Sequence, residues 1–313
     1  MLRPGPALAV RDACIGWLPF GGLLARLGDP IVKRWMQRTS PYAGEIDAIA
    51  RTVNRPGIWL LHGAYLFGCT ALADETETGP RLRRTLDWPF PGLGRLVEVV
   101  RHESTAGPYL NVTWPGFVGV LTAVAPRRFG ASINQAPMRQ RTLLWLDYAL
   151  NALSGLRSTA LPPEHLLRHV FETCLTFEEA RHLLEKTPVA RPVLFTLVGC
   201  KPGERVVIER EGDTARTYRQ DTVVAKDWQE PCAGWRPRCC GGGTPVENNR
   251  NRRAALAAWT GRGATVEWVS GPVLNACTRG SVEMSPATGV LVVAGWEPDG
   301  QGGAAPATVV TMF

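Results

Sequence analysis

The first 68 residues have the hydrophobic spacing of amphipathic helices. Leu24, Leu27, Ile31 and Trp35 recur at intervals of three or four residues, and a second segment with this spacing begins at Glu45. The sequence 54–57, Asn-Arg-Pro-Gly, is typical of a turn and should end that segment. We therefore predict a helical N-terminal segment, residues 1–68, followed by a region of different architecture.

From Cys69 onwards, short apolar runs alternate with turn residues, which predicts consecutive antiparallel strands. The predicted strands of this first group are 69–73, 82–86, 96–100, 110–113, 117–125 and 129–133. Three helices should follow, at 143–153, 163–174 and 177–186, and the last begins with the capping box Thr176-x-x-Glu179. Further strands are predicted at 192–198, 205–210, 215–218, 266–269, 281–284, 290–294 and 308–312, with a loop at 229–246 and a helix at 252–260.

The order helices, sheet, helices, sheet favours an α+β fold. Strands grouped between helical blocks suit two packed antiparallel sheets with helices outside, rather than a βαβ alternation. We expect two parts: the helical segment 1–68 and a sheet-containing domain, 69–313.

Composition and charge exclude only a few classes of function. Of the 313 residues, 45% are hydrophobic and 20% charged, which excludes general disorder. The net charge of +7 permits an anionic partner. The basic cluster 250–253 lacks the interleaved aromatic residues of an RNA-binding motif, so we expect no nucleic acid partner.

Neither a metal nor a cofactor is expected. His165 and His169 lie four apart, as zinc pairs do, but no glutamate of a metalloprotease helix lies between them, and two partly exposed helix histidines are the simpler interpretation. Cys232, Cys239 and Cys240 have spacings that do not suit zinc; reduced thiols in a loop are expected there, with a disulfide as the alternative.

No apolar run reaches the ~18–20 residues of a membrane-spanning helix. The apolar stretch 13–25 is short, contains proline and glycine, and has no clear cleavage site after it, so we expect no signal peptide. The chain reads as a cytoplasmic bacterial protein.

Cys69 is the residue with the clearest catalytic potential. It follows Gly68 where the helical segment gives way to the first strand, and Arg84 and Asp87 come 15 and 18 residues later. Cleavage of the Gly68–Cys69 bond would leave a free α-amine that could take the thiol proton, so no histidine base would be needed. Arg84 would hold the thiolate and Asp87 would orient the ammonium. The alternative is a buried structural cysteine on a strand.

The stretches 68–73, Gly-Cys-Thr-Ala-Leu-Ala, and 84–87, Arg-Thr-Leu-Asp, resemble the N-terminal-nucleophile (Ntn) hydrolases of the acid ceramidase, N-acylethanolamine acid amidase and choloylglycine hydrolase group. The stretch 114–122 and the later Asn134 resemble that group's second hairpin, and 251–256 resembles the start of a late helix that contains an arginine. The resemblance implies a four-layer αββα sandwich, an oxyanion hole near Asn134 and a site role for Arg253.

One position departs from the family pattern. Lys226 stands where the family usually has the asparagine that donates to the oxyanion, just before Asp227-Trp228. A lysine can also donate, with a positive charge on a longer stem.

The resemblance implies an enzyme that cleaves itself before Cys69 and then hydrolyses a non-peptide amide bond of a small N-acyl, lipid-like substrate through a thioester. The leader should stay associated with the catalytic part, and its apolar helices are compatible with contact with a membrane surface. Acyl transfer of the penicillin acyltransferase type, or a non-catalytic binding protein on this scaffold, are the alternatives.

Overall fold

A computed structural model describes residues 4–63, 68–220, 222–238, 242–261 and 265–313. The expected thiol loop around Cys239 and Cys240 lies outside these residues.

The described part of the chain contains eight α-helices, a short 3₁₀ helix at Leu93–Leu96 and sixteen strands. The helices are α1 (Pro4–Trp17), α2 (Gly21–Thr39), α3 (Ala43–Val53), α4 (Ile58–Gly63), α5 (Leu144–Arg157), α6 (Pro163–Thr173), α7 (Phe177–Lys186) and α8 (Pro245–Ala257). The strands of the first half are β1 (Gly68–Thr76), β2 (Gly79–Asp87), β3 (Glu98–His102), β4 (Tyr109–Thr113), β5 (Thr122–Ala125), β6 (Phe129–Gln135) and β7 (Met138–Arg139). Those of the second half are β8 (Val193–Val198), β9 (Arg205–Glu211), β10 (Thr214–Tyr218), β11 (Val223–Val224), β12 (Trp235–Arg236), β13 (Thr278–Ser285), β14 (Val290–Pro298), β15 (Ala304–Pro306) and β16 (Thr311–Met312).

The strands form two seven-stranded antiparallel sheets. Sheet A has the order β11-β1-β2-β13-β14-β15, with β16 also paired to β14, and sheet B has the order β10-β9-β8-β6-β5-β4-β3. A small ladder joins β12 to β7. The predicted α+β class with two antiparallel sheets is therefore confirmed.

Helices cover the outer faces of both sheets. Phe171 and Leu184, from α6 and α7, pack against the outer face of sheet B in the main core. Leu256 of α8 packs with Leu72 and Trp296 on the outer face of sheet A. The inner faces meet in a second cluster in which Leu82 of sheet A contacts the β-branched residues of sheet B. The layers are thus α, sheet B, sheet A, α.

The four N-terminal helices build their own small core, which includes Trp35, Met36 and Ile46. The predicted stripe on α2 is only partly buried: Trp35 lies inside, but Leu24, Leu27 and Ile31 are exposed by about half. The buried positions, Ala25 and Val32 among them, lie on the adjoining face of the helix, because this is the face that packs on α3 and α4.

Several predicted elements differ from the structure. The strand expected at 117–125 is confined to β5, because residues 114–121 turn between helices: the amide of Val118 donates to His62 Nε2 and that of Val120 to the Glu164 carbonyl. The strand expected at 266–269 is a turn whose side chains pack beneath α8. At the C-terminus, the strand expected at 308–312 is reduced to β16.

The helix predicted at 252–260 instead occupies Pro245–Ala257. It begins earlier because Thr244 caps it: the Thr244 hydroxyl accepts from the Glu247 amide at 3.3 Å, and Pro245 takes the first helical position. The predicted loop at 229–246 is correspondingly shorter.

His165 was expected to be partly exposed, and that is wrong. It is fully buried on α6, where Nδ1 lies 2.8 Å from the hydroxyl of Ser40, the residue that follows α2. The helical N-terminal segment covers this face of α6.

Candidate active site

Cys69 lies at the start of β1 with its side chain fully buried between the two sheets. Ala71 and Ala73, two and four residues further along β1, point to the same interior. The Sγ atom of Cys69 is 2.6 Å from Nη2 of Arg84. Cys69 therefore contacts Arg84, the arginine that the sequence predicted as its partner.

Arg84 reaches the thiol from the neighbouring strand. It pairs with Ala71 across the β1–β2 ladder, which brings its side chain to the face that Cys69 occupies. The guanidinium is fully buried, and its Nη1 donates to the Leu121 carbonyl at 2.9 Å and to the Thr122 hydroxyl. Thr122 begins β5 of sheet B and Leu121 directly precedes it, so Arg84 bridges the sheets beneath the thiol.

Burial and charge have opposing effects on the Cys69 thiol. Burial raises the pKa of Cys69 to about 11, with a smaller contribution from Asp87 in the same direction. Arg84, Lys226 and Arg252 lower this pKa through their positive charges. In the uncleaved chain the thiol is therefore protonated at neutral pH, and three cations favour the thiolate once the proton has left.

Asp87 ends β2 and lies on the other face of the strand from Arg84, as residues three apart in a strand must. Its Oδ2 accepts from Arg252 Nη2 and its Oδ1 accepts from the Thr278 hydroxyl at 3.0 Å. Both members of the Asp87–Arg252 ion pair are fully buried. In the ladder, Asp87 is paired with Gly68, so its backbone lies opposite the Gly68–Cys69 bond.

The arginine of α8 that enters the site is Arg252, not the predicted Arg253. Arg252 is fully buried, whereas Arg253 is partly exposed and donates to Gln229 Oε1. The buried residues of α8 are Asn249, Arg252 and Leu256, at helical spacing. Because the helix begins at Pro245, its phase turns Arg252 inwards and Arg253 sideways.

Asn134 and Lys226 lie on neighbouring segments. Asn134 of β6 is fully buried, and its Nδ2 is 3.4 Å from the carbonyl of Ala225, the residue before Lys226. Lys226 is 4% exposed, and its charge acts on Cys69.

The sequence did not predict three residues that hold the site in place. Leu121 and Thr122 accept from Arg84, and Thr278 donates to Asp87. They come from parts of the chain far from the residues that they hold, so no local pattern indicates these contacts.

A largely apolar cavity of about 420 Å³ opens beside this cluster. It lies between α2, α4 and α5 and reaches Ala136, two residues after Asn134. Its walls include Val32, Trp35, Leu60, Tyr148 and Leu156, with Arg238 at one side. A larger groove of about 600 Å³ surrounds Asp74, Arg81 and Trp259 at the far end of the β1–β2 hairpin, away from the thiol.

Among the described residues, no single helix has both the length and the hydropathy needed to cross a membrane. The sharply bent pair α1 and α2, which meet at 113°, passes that test only when taken together.

Comparisons with known proteins relate this arrangement to a group of amidases. No family model matches the chain. Over 219 residues it is 26% identical to the N-acylethanolamine-hydrolyzing acid amidase of Mus musculus, covering 67% of this chain and 57% of the relative. Over 248 residues it is 32% identical to the acid ceramidase of Heterocephalus glaber, covering 71% of this chain and 62% of the relative. The chain thus spans about three fifths of the length of these relatives.

A solved structure of a Caenorhabditis elegans N-acylethanolamine-hydrolyzing acid amidase ortholog superposes with a TM-score of 0.55 at 20% identity, covering 70% of this chain and 93% of that one. This likeness establishes the fold. The chain is therefore an Ntn-hydrolase-fold homologue of the N-acylethanolamine-hydrolyzing acid amidases and acid ceramidases.

Proposed function

We propose that the protein is a self-cleaving cysteine Ntn hydrolase that breaks a non-peptide amide bond in a small N-acyl substrate. The observation that carries the proposal is the 2.6 Å contact between Cys69 Sγ and Arg84 Nη2 at the start of β1. A structural cysteine in an apolar core needs no buried cation, whereas a nucleophilic thiolate does.

Self-cleavage would begin with attack of the Cys69 sulfur on the Gly68 carbonyl carbon. The C–N bond between the two residues breaks, the amide nitrogen takes up the thiol proton, and a thioester forms. Water then hydrolyses the thioester and releases a carboxylate on Gly68. Because Gly68 is paired with Asp87, the new α-amine would arise beside that carboxylate.

In the mature protein the α-amine, whose usual pKa is about 7.7–8, would act as the base for the thiol. Arg84 would stabilise the thiolate, and Asp87 would hold the ammonium. Asn134 and Lys226 would donate to the oxyanion, and donors aimed at that charge lower the barrier. The acyl group would pass from the substrate amide to sulfur as the C–N bond breaks, the amine would leave with a proton from the ammonium, and water would then release the acyl group as an acid.

The apolar cavity beside Asn134 supports an acyl chain as the substrate's larger part. Its volume, about 420 Å³, is that of a small-molecule pocket, and its walls are chiefly aliphatic and aromatic. Val32 and Trp35 of α2 and Leu60 and Gly63 of α4 form one side of the wall, so the leader would have to remain in place for the pocket to keep its shape. Rates measured on N-acyl amides of increasing chain length should rise until the cavity is filled.

Many contacts support continued association of the leader after cleavage. Trp35 Nε1 donates to the Ser158 carbonyl at 2.9 Å, the Tyr42 hydroxyl donates to Glu172 at 2.6 Å, and Arg191 donates to the Gly63 carbonyl at 2.6 Å. None of these contacts depends on the bond between Gly68 and Cys69.

Contact with a membrane surface is part of the proposal. The corner between α1 and α2 exposes Trp17, Phe20, Leu24, Leu27 and Ile31, with Phe20 84% exposed. Arginines on α2 flank this apolar face and would favour anionic lipids. Co-sedimentation with anionic vesicles should be lost in Phe20→Glu and retained in an exposed control variant, Leu175→Glu.

The deciding experiment is the mass of the purified chain before and after incubation at acidic and neutral pH. The wild type should yield fragments 1–68 and 69–313 that separate on a denaturing gel and coelute on a native sizing column. Cys69→Ala should remain one chain, and Cys277→Ala, a matched change elsewhere, should be cleaved like the wild type. A wild type that stays intact while hydrolysing N-acyl amides would show that the N-terminal mechanism is wrong.

A further inference from the structure

Three hydroxyl groups form a row across sheet B. Thr122 of β5 is directly opposite Ser132 of β6, and Ser132 is directly opposite Thr196 of β8. Residues directly opposite each other in a ladder project from the same face of the sheet, with Cβ atoms about 4.5–5.5 Å apart. The three side chains are therefore neighbours on one face.

This face is the one between the sheets. Val124 and Val198, two residues beyond Thr122 and Thr196 on their strands, pack in the cluster that contains Leu82 of sheet A. All three hydroxyl residues are at most 2% exposed. A polar row of this kind inside an otherwise apolar layer needs a physical reason.

Arg84 lies directly on the row. Its Nη1 donates to the Thr122 hydroxyl, and its Nη2 contacts Cys69 Sγ. Within the described part of the chain, three buried polar atoms here have no hydrogen-bond partner: Arg84 Nε, Ser132 Oγ and Thr196 Oγ1. An arginine donor and two hydroxyls with free hydrogen-bonding capacity thus share one interior.

Such atoms are seldom left alone in native proteins, because each unsatisfied group raises the free energy of the folded state. Two hydroxyls and a guanidinium N–H provide the three hydrogen bonds that a buried water typically makes. Ala71 links the two groups: it is opposite Arg84 in the ladder and packs against Val207, the residue paired with Thr196.

We propose that Ser132 and Thr196 bind a buried water that accepts from Arg84 Nε, and that they are thereby positioning residues for the guanidinium. Thr122 would hold one end of the guanidinium and the water the other, which fixes Nη2 against Cys69. The role of Arg84 in catalysis rests on the proposed function. The positioning of its guanidinium by Ser132 and Thr196 does not.

Two consequences follow from this geometry. Because Arg84 lowers the pKa of Cys69, a guanidinium that is free to turn away should leave the thiol harder to deprotonate. Because the row lies beneath the thiol and outside the apolar cavity, substrate affinity should be unaffected.

The test uses the full-length protein with Ser132→Ala, Thr196→Val and the double variant. The matched control is Thr113→Val, which removes another buried hydroxyl without a partner from the opposite face of sheet B. Two quantities are measured: the pH dependence of Cys69 alkylation by iodoacetamide, counted on the Cys69 peptide by mass spectrometry, and kcat and KM on an N-acyl amide.

In the double variant the apparent pKa of Cys69 should rise by about one unit, and kcat should fall about tenfold at unchanged KM, the effect of one hydrogen bond to a charged group. Ser132→Thr should behave like the wild type. Thr113→Val should alter neither quantity.

An unchanged Cys69 titration in a folded double variant, or an equal shift in Thr113→Val, would overturn the positioning role. A wild type that is neither cleaved nor active would instead overturn the proposed function, and the alkylation profiles would still decide whether Ser132 and Thr196 position Arg84.

Discussion

At the scale of single residues, the buried cations around Cys69 are the feature that distinguishes this site. Arg84 contacts the sulfur directly, while Lys226 and Arg252 act on it through their charges. Lys226, which the sequence predicts to stand where related amidases have an asparagine, is buried rather than solvated. A charged donor in this place could stabilise both the thiolate and the oxyanion.

We predict that Lys226→Ala will lose about 100–1000-fold in kcat, the usual cost of one oxyanion donor, or ~2.7–4 kcal/mol. Lys226→Asn should retain part of the activity, because an amide can still donate. Steady-state kinetics on a fluorogenic N-acyl amide measure both. Rates near the wild type in both variants would place Lys226 outside the oxyanion hole.

At the scale of elements, helix α8 decides which arginine serves the site. Its first turn is fixed by the Thr244 cap, and the resulting phase buries Asn249, Arg252 and Leu256 against sheet A. Arg252 there forms the fully buried ion pair with Asp87. Removing one partner of a buried pair leaves the other charge without compensation.

Arg252→Met should therefore destabilise the protein by about 3–5 kcal/mol, whereas Arg253→Met, its neighbour on the partly exposed side, should change stability by less than about 0.5 kcal/mol. Urea unfolding measures both. The double variant Asp87→Leu/Arg252→Met should recover much of the stability but none of the activity. Equal losses for the two arginines would contradict the helix phase described here.

At the scale of the whole molecule, buried histidines join the leader to the turn before β5 and to α6. His62 of α4 donates from Nδ1 to the Ile58 carbonyl at 2.8 Å and accepts at Nε2 from the Val118 amide at 3.1 Å. Protonation of Nε2 would break the second bond. Burial lowers the pKa of His62 to about 4 and that of His165 well below its usual value.

A histidine with a depressed folded-state pKa binds its proton more readily in the unfolded chain, so stability should fall as the pH falls. For His62 the loss begins near the unfolded value of about 6.5, is complete near pH 4, and is on the order of 3 kcal/mol. Urea unfolding at a series of pH values should show a flatter profile for His62→Gln than for the wild type. His182→Gln, on the surface helix α7, is the control, and a flattening of equal size there would contradict this assignment.

The sequence by itself determined the local features of this protein. The capping box at Thr176 is formed: the Glu179 amide donates to Thr176 Oγ1 at 3.2 Å, and the Glu179 carboxylate accepts from the Leu175 amide at 2.7 Å. The β1–β2 hairpin, the helix α7 and the change from helices to sheet near Cys69 were likewise predicted, because each depends on propensity and spacing within a few residues. The α+β class followed from their order.

Only the tertiary structure decided which side chains meet. The resemblance pointed to Arg253, but the packing of α8 on sheet A buries Arg252 instead and pairs it with Asp87. The Thr122–Ser132–Thr196 row depends on the register of three strands, which no local pattern specifies. The stripe of Leu24, Leu27 and Ile31 was predicted as the apolar face of α2, but packing against α3 and α4 buries Ala25 and Val32 instead, because a helix buries only the side that finds a partner.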